Sequence, residues 1–83
     1  MYWAARNGHA GAVSALVRLG ADLDARAGDW TALMQAACFG HVECARALLA
    51  GGADRTLRRP DGKTALELAE WAGKAEVAAL LRE

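Results

Sequence analysis

The chain repeats itself. "AARNGH" at 4–9 returns as "AACFGH" at 36–41, and "GADLDA" at 20–25 returns as "GADRTL" at 52–57. "TALMQAACFG", from Thr31, returns as "TALELAEWAG", from Thr64. The offsets agree at roughly 32 to 33 residues, a period that marks stacked structural units rather than chance. A unit this short cannot bury its own apolar stripe, so neighbouring units must share a core. The 83 residues hold one domain, 1–83, divided into a partial unit over about 1–26, a second over 27–58 and a cap-like third over 59–83. A compact chain of this length buries only about 60 to 65% of its unfolded surface, so its stability is expected to be modest.

Each unit contains two short helical patterns joined by Gly-His or Gly-Lys, then Gly-Ala-Asp or the chain's end. In the second helices Ala12, Val13, Leu16 and Val17 correspond to Cys44, Ala45, Leu48 and Leu49, an i, i+4 face suited to burial. The third unit keeps Val77, Ala78 and Leu81. Thr31 and Thr64 begin the first helices, and Thr64-Ala-Leu-Glu67 fits a capping box. Gly20 and Gly52 follow the second helices of their units, where a left-handed residue closes off the last carbonyls. The expectation is an all-α solenoid of helix-turn-helix units.

These segments, above all "TALMQAACFGHVECARALLAGGAD" and "DGKTALELAEWAG", resemble the ankyrin repeat family, and the resemblance covers the whole chain. It implies stacked helix pairs with projecting hairpin turns, and a role in holding other proteins on the turn tips and the concave helix face. The chain also departs from the family. Ala32 and Ala65 replace the proline of its Thr-Pro-Leu-His start, and Met34 and Glu67 replace the histidine, so hydrogen bonding at the first helices must differ. Asp29 stands where the family prefers glycine, in a turn one residue shorter than "RRPDGK". Asp tolerates a left-handed conformation better than most residues, which makes such a turn feasible and leaves its shape open. Met1 aligns with Leu33, so the first unit is truncated: either the chain is a fragment or its N-terminal face is bare.

Composition removes several function classes. Ten basic residues balance ten acidic ones, and no run of like charge reaches the length of a nucleic-acid tail. No stretch approaches the ~18 to 20 apolar residues of a membrane helix. Cys38 and Cys44 match neither a redox pair nor a zinc framework, and are read as reduced thiols of an intracellular protein, cytoplasmic or nuclear. Cys44 is expected buried and inert, and Cys38 nearer the groove. His9 and His41, at equivalent places after glycines, suit a repeated structural role better than a metal site. Ser14, the only serine, lies in a helical pattern without a nucleophile elbow, and no phosphate-binding glycine motif is present. No enzyme, cofactor or metal is expected.

The candidate partner-binding residues are Arg26, Asp29, Trp30, Cys38, Phe39, Arg59, Asp61, Lys63 and Trp71. Trp30 either braces its own hairpin or anchors a partner; bracing is preferred, and one ring can do both. Phe39 and Trp71 end their first helices on the groove side, where with Trp30 they would form an apolar stripe. Scattered exposed aromatics are also ordinary surface. Tyr2 and Trp3 are expected uncovered, for want of a preceding unit. Arg55, Arg58, Arg59 and Lys63 surround Pro60-Asp61-Gly62, as a contact for an acidic partner or, the preferred reading, as a solvated loop.

The function expected is therefore a module binding an unidentified protein partner without catalysis, with no nucleic acid and no membrane. The alternative is a spacer or capping end of a longer solenoid that binds nothing itself. On that alternative the bare N-terminal face packs further repeats or self-associates.

Overall fold

The computed structural model describes residues 2–83, with side chains from Trp3 onward. The expectation for Tyr2 therefore lies outside the described side chains. Among the described residues six helices form three pairs: α1 (Tyr2–Arg6) with α2 (Ala10–Arg18), α3 (Ala32–Phe39) with α4 (Val42–Ala50), and α5 (Ala65–Trp71) with α6 (Ala75–Arg82). The first helices make one layer, with α3 between α1 and α5, and the second helices make another, with α4 between α2 and α6. A small hairpin precedes α3, in which β1 (Arg26–Ala27) pairs antiparallel with β2 (Trp30–Thr31).

Local chemistry sets the helix ends. Thr31 Oγ1 accepts from Met34 N, and Thr64 Oγ1 accepts from Glu67 N, both at 3.3 Å. The reciprocal bond distinguishes the two caps. Thr64 N donates to the Glu67 carboxylate at 3.3 Å, whereas Thr31 N has only the Met34 sulfur at 3.5 Å, a weak acceptor. At the other end of α2, Ala21 N donates to Leu16 O and Gly20 N to Val17 O; in α4, Ala53 N donates to Leu48 O and Gly52 N to Leu49 O. This is a Schellman closure, and both Gly20 and Gly52 have positive φ as it requires.

The core runs through all three pairs, with Val13, Leu33, Met34, Cys44, Leu48, Leu68 and Val77 as its largest fully buried side chains. Ala5, Ala36, Ala37 and Ala69 are fully buried too, and their small side chains let the first helices of neighbouring pairs approach closely. Val77, Ala78 and Leu81 are buried as their spacing implies. The face expected on α2 is only partly realised: Val13 is buried, Leu16 and Val17 are half-buried, and Ala12 is exposed.

The two hairpin turns differ by one residue, as their sequences imply. Ala27 and Trp30 enclose Gly28 and Asp29, whereas Arg59 N reaches Lys63 O (2.9 Å) across Pro60, Asp61 and Gly62. The left-handed residue of the short turn is Gly28 (φ 65°), and Asp29 does not adopt positive φ. The tolerance of Asp for a left-handed conformation is therefore not used at position 29. A two-residue hairpin with one positive φ at its first central position has the type II′ pattern, which glycine fills without strain.

Polar ties cross between units. His41 Nε2–H donates to Arg6 O (2.9 Å), and Asp54 N donates to the Asp24 carboxylate (2.8 Å). Arg26 Nη2 donates to Arg58 O (2.7 Å) while its Nη1 donates to Asp29 O (3.1 Å). Arg55 Nη1 donates to the carbonyls of Leu81 (3.0 Å) and Glu83 (2.8 Å), satisfying the last turn of α6. The equivalent histidines therefore differ: His41 links two units, while His9 stacks on Trp3 with ring centroids 4.7 Å apart.

Candidate functional site: a cleft across the first helices

A cleft of about 560 Å³ lies across α3 and α5, under the hairpin turns. Gln35 and Cys38 from α3 and Leu68 from α5 line it, and of these Gln35 and Leu68 are buried. The last residues of the same helices, Phe39 and Trp71, also line it and stay 45% and 74% exposed, a large uncovered apolar area in so small a chain. Trp30, Arg59, Asp61 and Lys63 approach from the turns, and Arg6 from the end of α1.

Trp30 is half-buried against the core, and the Arg59 guanidinium carbon sits 4.6 Å from its ring centroid. Arg59 in turn pairs with Asp61 at 3.4 Å. The turn of the third unit is thus clamped on the tryptophan of the second, a cation–π contact of about 0.5 to 2 kcal/mol. Trp30 braces the chain and forms a wall of the cleft with the same ring. Arg6 stacks more loosely on Phe39, 5.6 Å from its centroid.

Charge in the cleft is unbalanced. Arg6, Arg59 and Lys63 face a single acid, Asp61, which pairs with Arg59. Arg6 and Lys63 have no ion-pair partner among the described residues. Gln35 is 4% exposed, and its Oε1 is buried without a hydrogen bond.

Seven of the nine residues singled out in the sequence meet in this cleft: Trp30, Cys38, Phe39, Arg59, Asp61, Lys63 and Trp71. Arg26 and Asp29 do not line it. Arg26 holds two carbonyls and so joins adjacent turns, and the exposed Asp29 lends its carbonyl to that arrangement at the hairpin tip. Most of the basic cluster near Pro60 is likewise engaged within the chain. Arg58 reaches Gly62 O (2.6 Å) and Glu67 (3.4 Å), and Arg55 caps α6. Sequence reasoning missed Arg6, Gln35 and Leu68. Gln35 carried a legible signal, since an amide stands where the third unit has Leu68.

Cys44 is buried, and burial, followed by the charge of Glu43, pushes its thiol above the usual range; it is a packing residue. Cys38 is half-buried on the cleft side. Among the described residues there is no cluster of three metal-ligating side chains, and no helix is long and apolar enough to cross a membrane.

Helix pairs stacked at a fixed period, with turns projecting over an open cleft, define a short helical repeat protein. The chain belongs to the ankyrin repeat family: the family model described as "Ankyrin repeats (3 copies)" matches residues 1–83. It is similar to the mouse (Mus musculus) protein "Ankyrin repeat and SAM domain-containing protein 6", with 45% identity over 67 residues, 78% of this chain. The chain spans only 8% of that relative's length. Ankyrin repeats are generally protein–protein interaction modules, and the family is typically non-catalytic.

Proposed function

We propose that this chain holds a protein partner in the cleft across α3 and α5, with no chemistry of its own. The carrying observation is that Phe39 and Trp71 leave large apolar areas uncovered in the same cleft as Arg6 and Lys63, cations with no ion-pair partner among the described residues. Aromatics supply most of the energy when a partner desolvates them, and flanking charges set orientation and association rate. Trp30 and Arg59 hold the wall in place before the partner arrives. The spacer reading draws on a different observation, that Arg26 and Arg55 are engaged between units.

Site-specific photo-crosslinking in extract separates the two. Trp71→benzoylphenylalanine is compared with the same replacement at Leu19, which is 82% exposed and lies outside the cleft. The expected outcome is one protein adduct from the cleft position and none from Leu19. Equal labelling at both positions, or none at Trp71, favours the spacer.

A further inference from the structure

Among the described residues, Gln35 and Arg59 each bring to the cleft a buried polar atom without a hydrogen bond, Oε1 and Nε. The Arg59 guanidinium is committed to Asp61 and to the Trp30 ring, whereas the fold makes no use of the Gln35 amide oxygen. The position of Gln35 is held in the third unit by Leu68, which fills the equivalent space with an apolar side chain. A buried amide oxygen without a donor is a cost that folded chains avoid, and Leu68 shows how this fold avoids it. The amide lines the cleft, so a bound segment can satisfy it. A side-chain amide both donates and accepts, and rotation about its last bond exchanges the two. Its natural complement is a main-chain peptide unit with a free N–H and C=O. An extended segment offers such units, whereas a helix has already paired them internally.

The surrounding charge selects among extended segments. Arg6 and Lys63 lie on the cleft without acidic partners among the described residues, and Asp61 is engaged by Arg59. A basic segment would meet repulsion, while a segment with carboxylates would find both cations available. Phe39 and Trp71 leave room beside these charges for an apolar anchor.

Resting on the cleft being the partner site, we propose that its occupant is an extended acidic segment of another protein. Its main chain pairs with the Gln35 amide, its carboxylates meet Arg6 and Lys63, and an apolar side chain lies between Phe39 and Trp71.

A displayed library of random peptides, panned against the whole chain and followed by tryptophan fluorescence, tests this. The expected peptides are acidic, carry one aliphatic or aromatic anchor, bind without becoming helical, and lose affinity as salt rises. Gln35→Leu should weaken them about five- to tenfold while raising the thermal midpoint of the free chain, a combination a purely structural residue cannot give. Gln35→Met serves if the leucine variant does not fold. Lys63→Glu should turn the preference away from acidic peptides. Selection of basic, uncharged or helical peptides, or indifference to Gln35→Leu, overturns the proposal. If such peptides still need Trp71 and Phe39, the cleft reading stands without it. If acidic peptides bind equally well to Trp71→Ala and Phe39→Ala, or no peptide is selected, the cleft reading falls as well.

Discussion

Trp30 carries two loads. Its ring packs against the core and takes the Arg59 guanidinium, and the same residue lines the cleft. Arg59→Ala should therefore destabilise the chain by about 0.5 to 1 kcal/mol, read as a lower urea midpoint, with Arg59→Lys in between. An unchanged midpoint would make the stack incidental. Asp54 provides a pH handle. The Thr56 hydroxyl, then its amide, hold the Asp54 carboxyl below the ordinary range. Its contribution is complete above the unfolded carboxylate value and is lost as pH falls through the lowered folded value. Asp54→Asn should flatten the acid limb of the stability profile; an identical acid limb in that variant would contradict this. Not all of this was legible beforehand. Arg26 looked like a partner contact because its bond to Arg58 O joins residues far apart in sequence. Gln35 passed unnoticed inside a well-matched repeat motif.

The elements obey short-range rules wherever a threonine or a glycine decides the geometry. Thr64 caps α5 with a full reciprocal pair, so Thr64→Ala should cost about 1 kcal/mol in chemical denaturation. Gly51 is a different case. Its φ is −80°, which any residue adopts, and alanine there would ordinarily help through the unfolded state. Yet a Cβ at Gly51 would lie 2.6 Å from Val17 Cγ1 and 2.9 Å from Leu23 Cδ1, side chains packed in the preceding unit. Gly51→Ala should destabilise by about 1 to 3 kcal/mol, and a neutral or stabilising result would refute the close approach. Helices, caps and Schellman ends could be read directly, because each depends on residues a few positions apart. The short hairpin could not, because loop length and pairing together assign the positive φ to Gly28 and leave Asp29 in an ordinary conformation. The partial exposure of the α2 face was equally hidden: Ala12 and Leu16 hold the places of Cys44 and Leu48, yet are not buried as those are.

At the scale of the molecule, one core passes through all three helix pairs, with Leu48 of α4 fully buried in it. Leu48→Ala should cost about 2 to 5 kcal/mol and lower a single cooperative transition for the whole chain. Two separate transitions would show that the units fold independently. The period identified the stack and the aromatic helix ends marked the cleft. The unbalanced charge of that cleft emerged only when Arg6 came across from α1 and the Arg59–Asp61 pair was seen to close on itself. The most direct test of the partner cleft is amide chemical-shift mapping while the chain is titrated with a peptide recovered by panning. The perturbed residues should gather at Gln35, Phe39, Lys63 and Trp71. Perturbations confined to α2, α4 and α6, with the cleft unmoved, would contradict it.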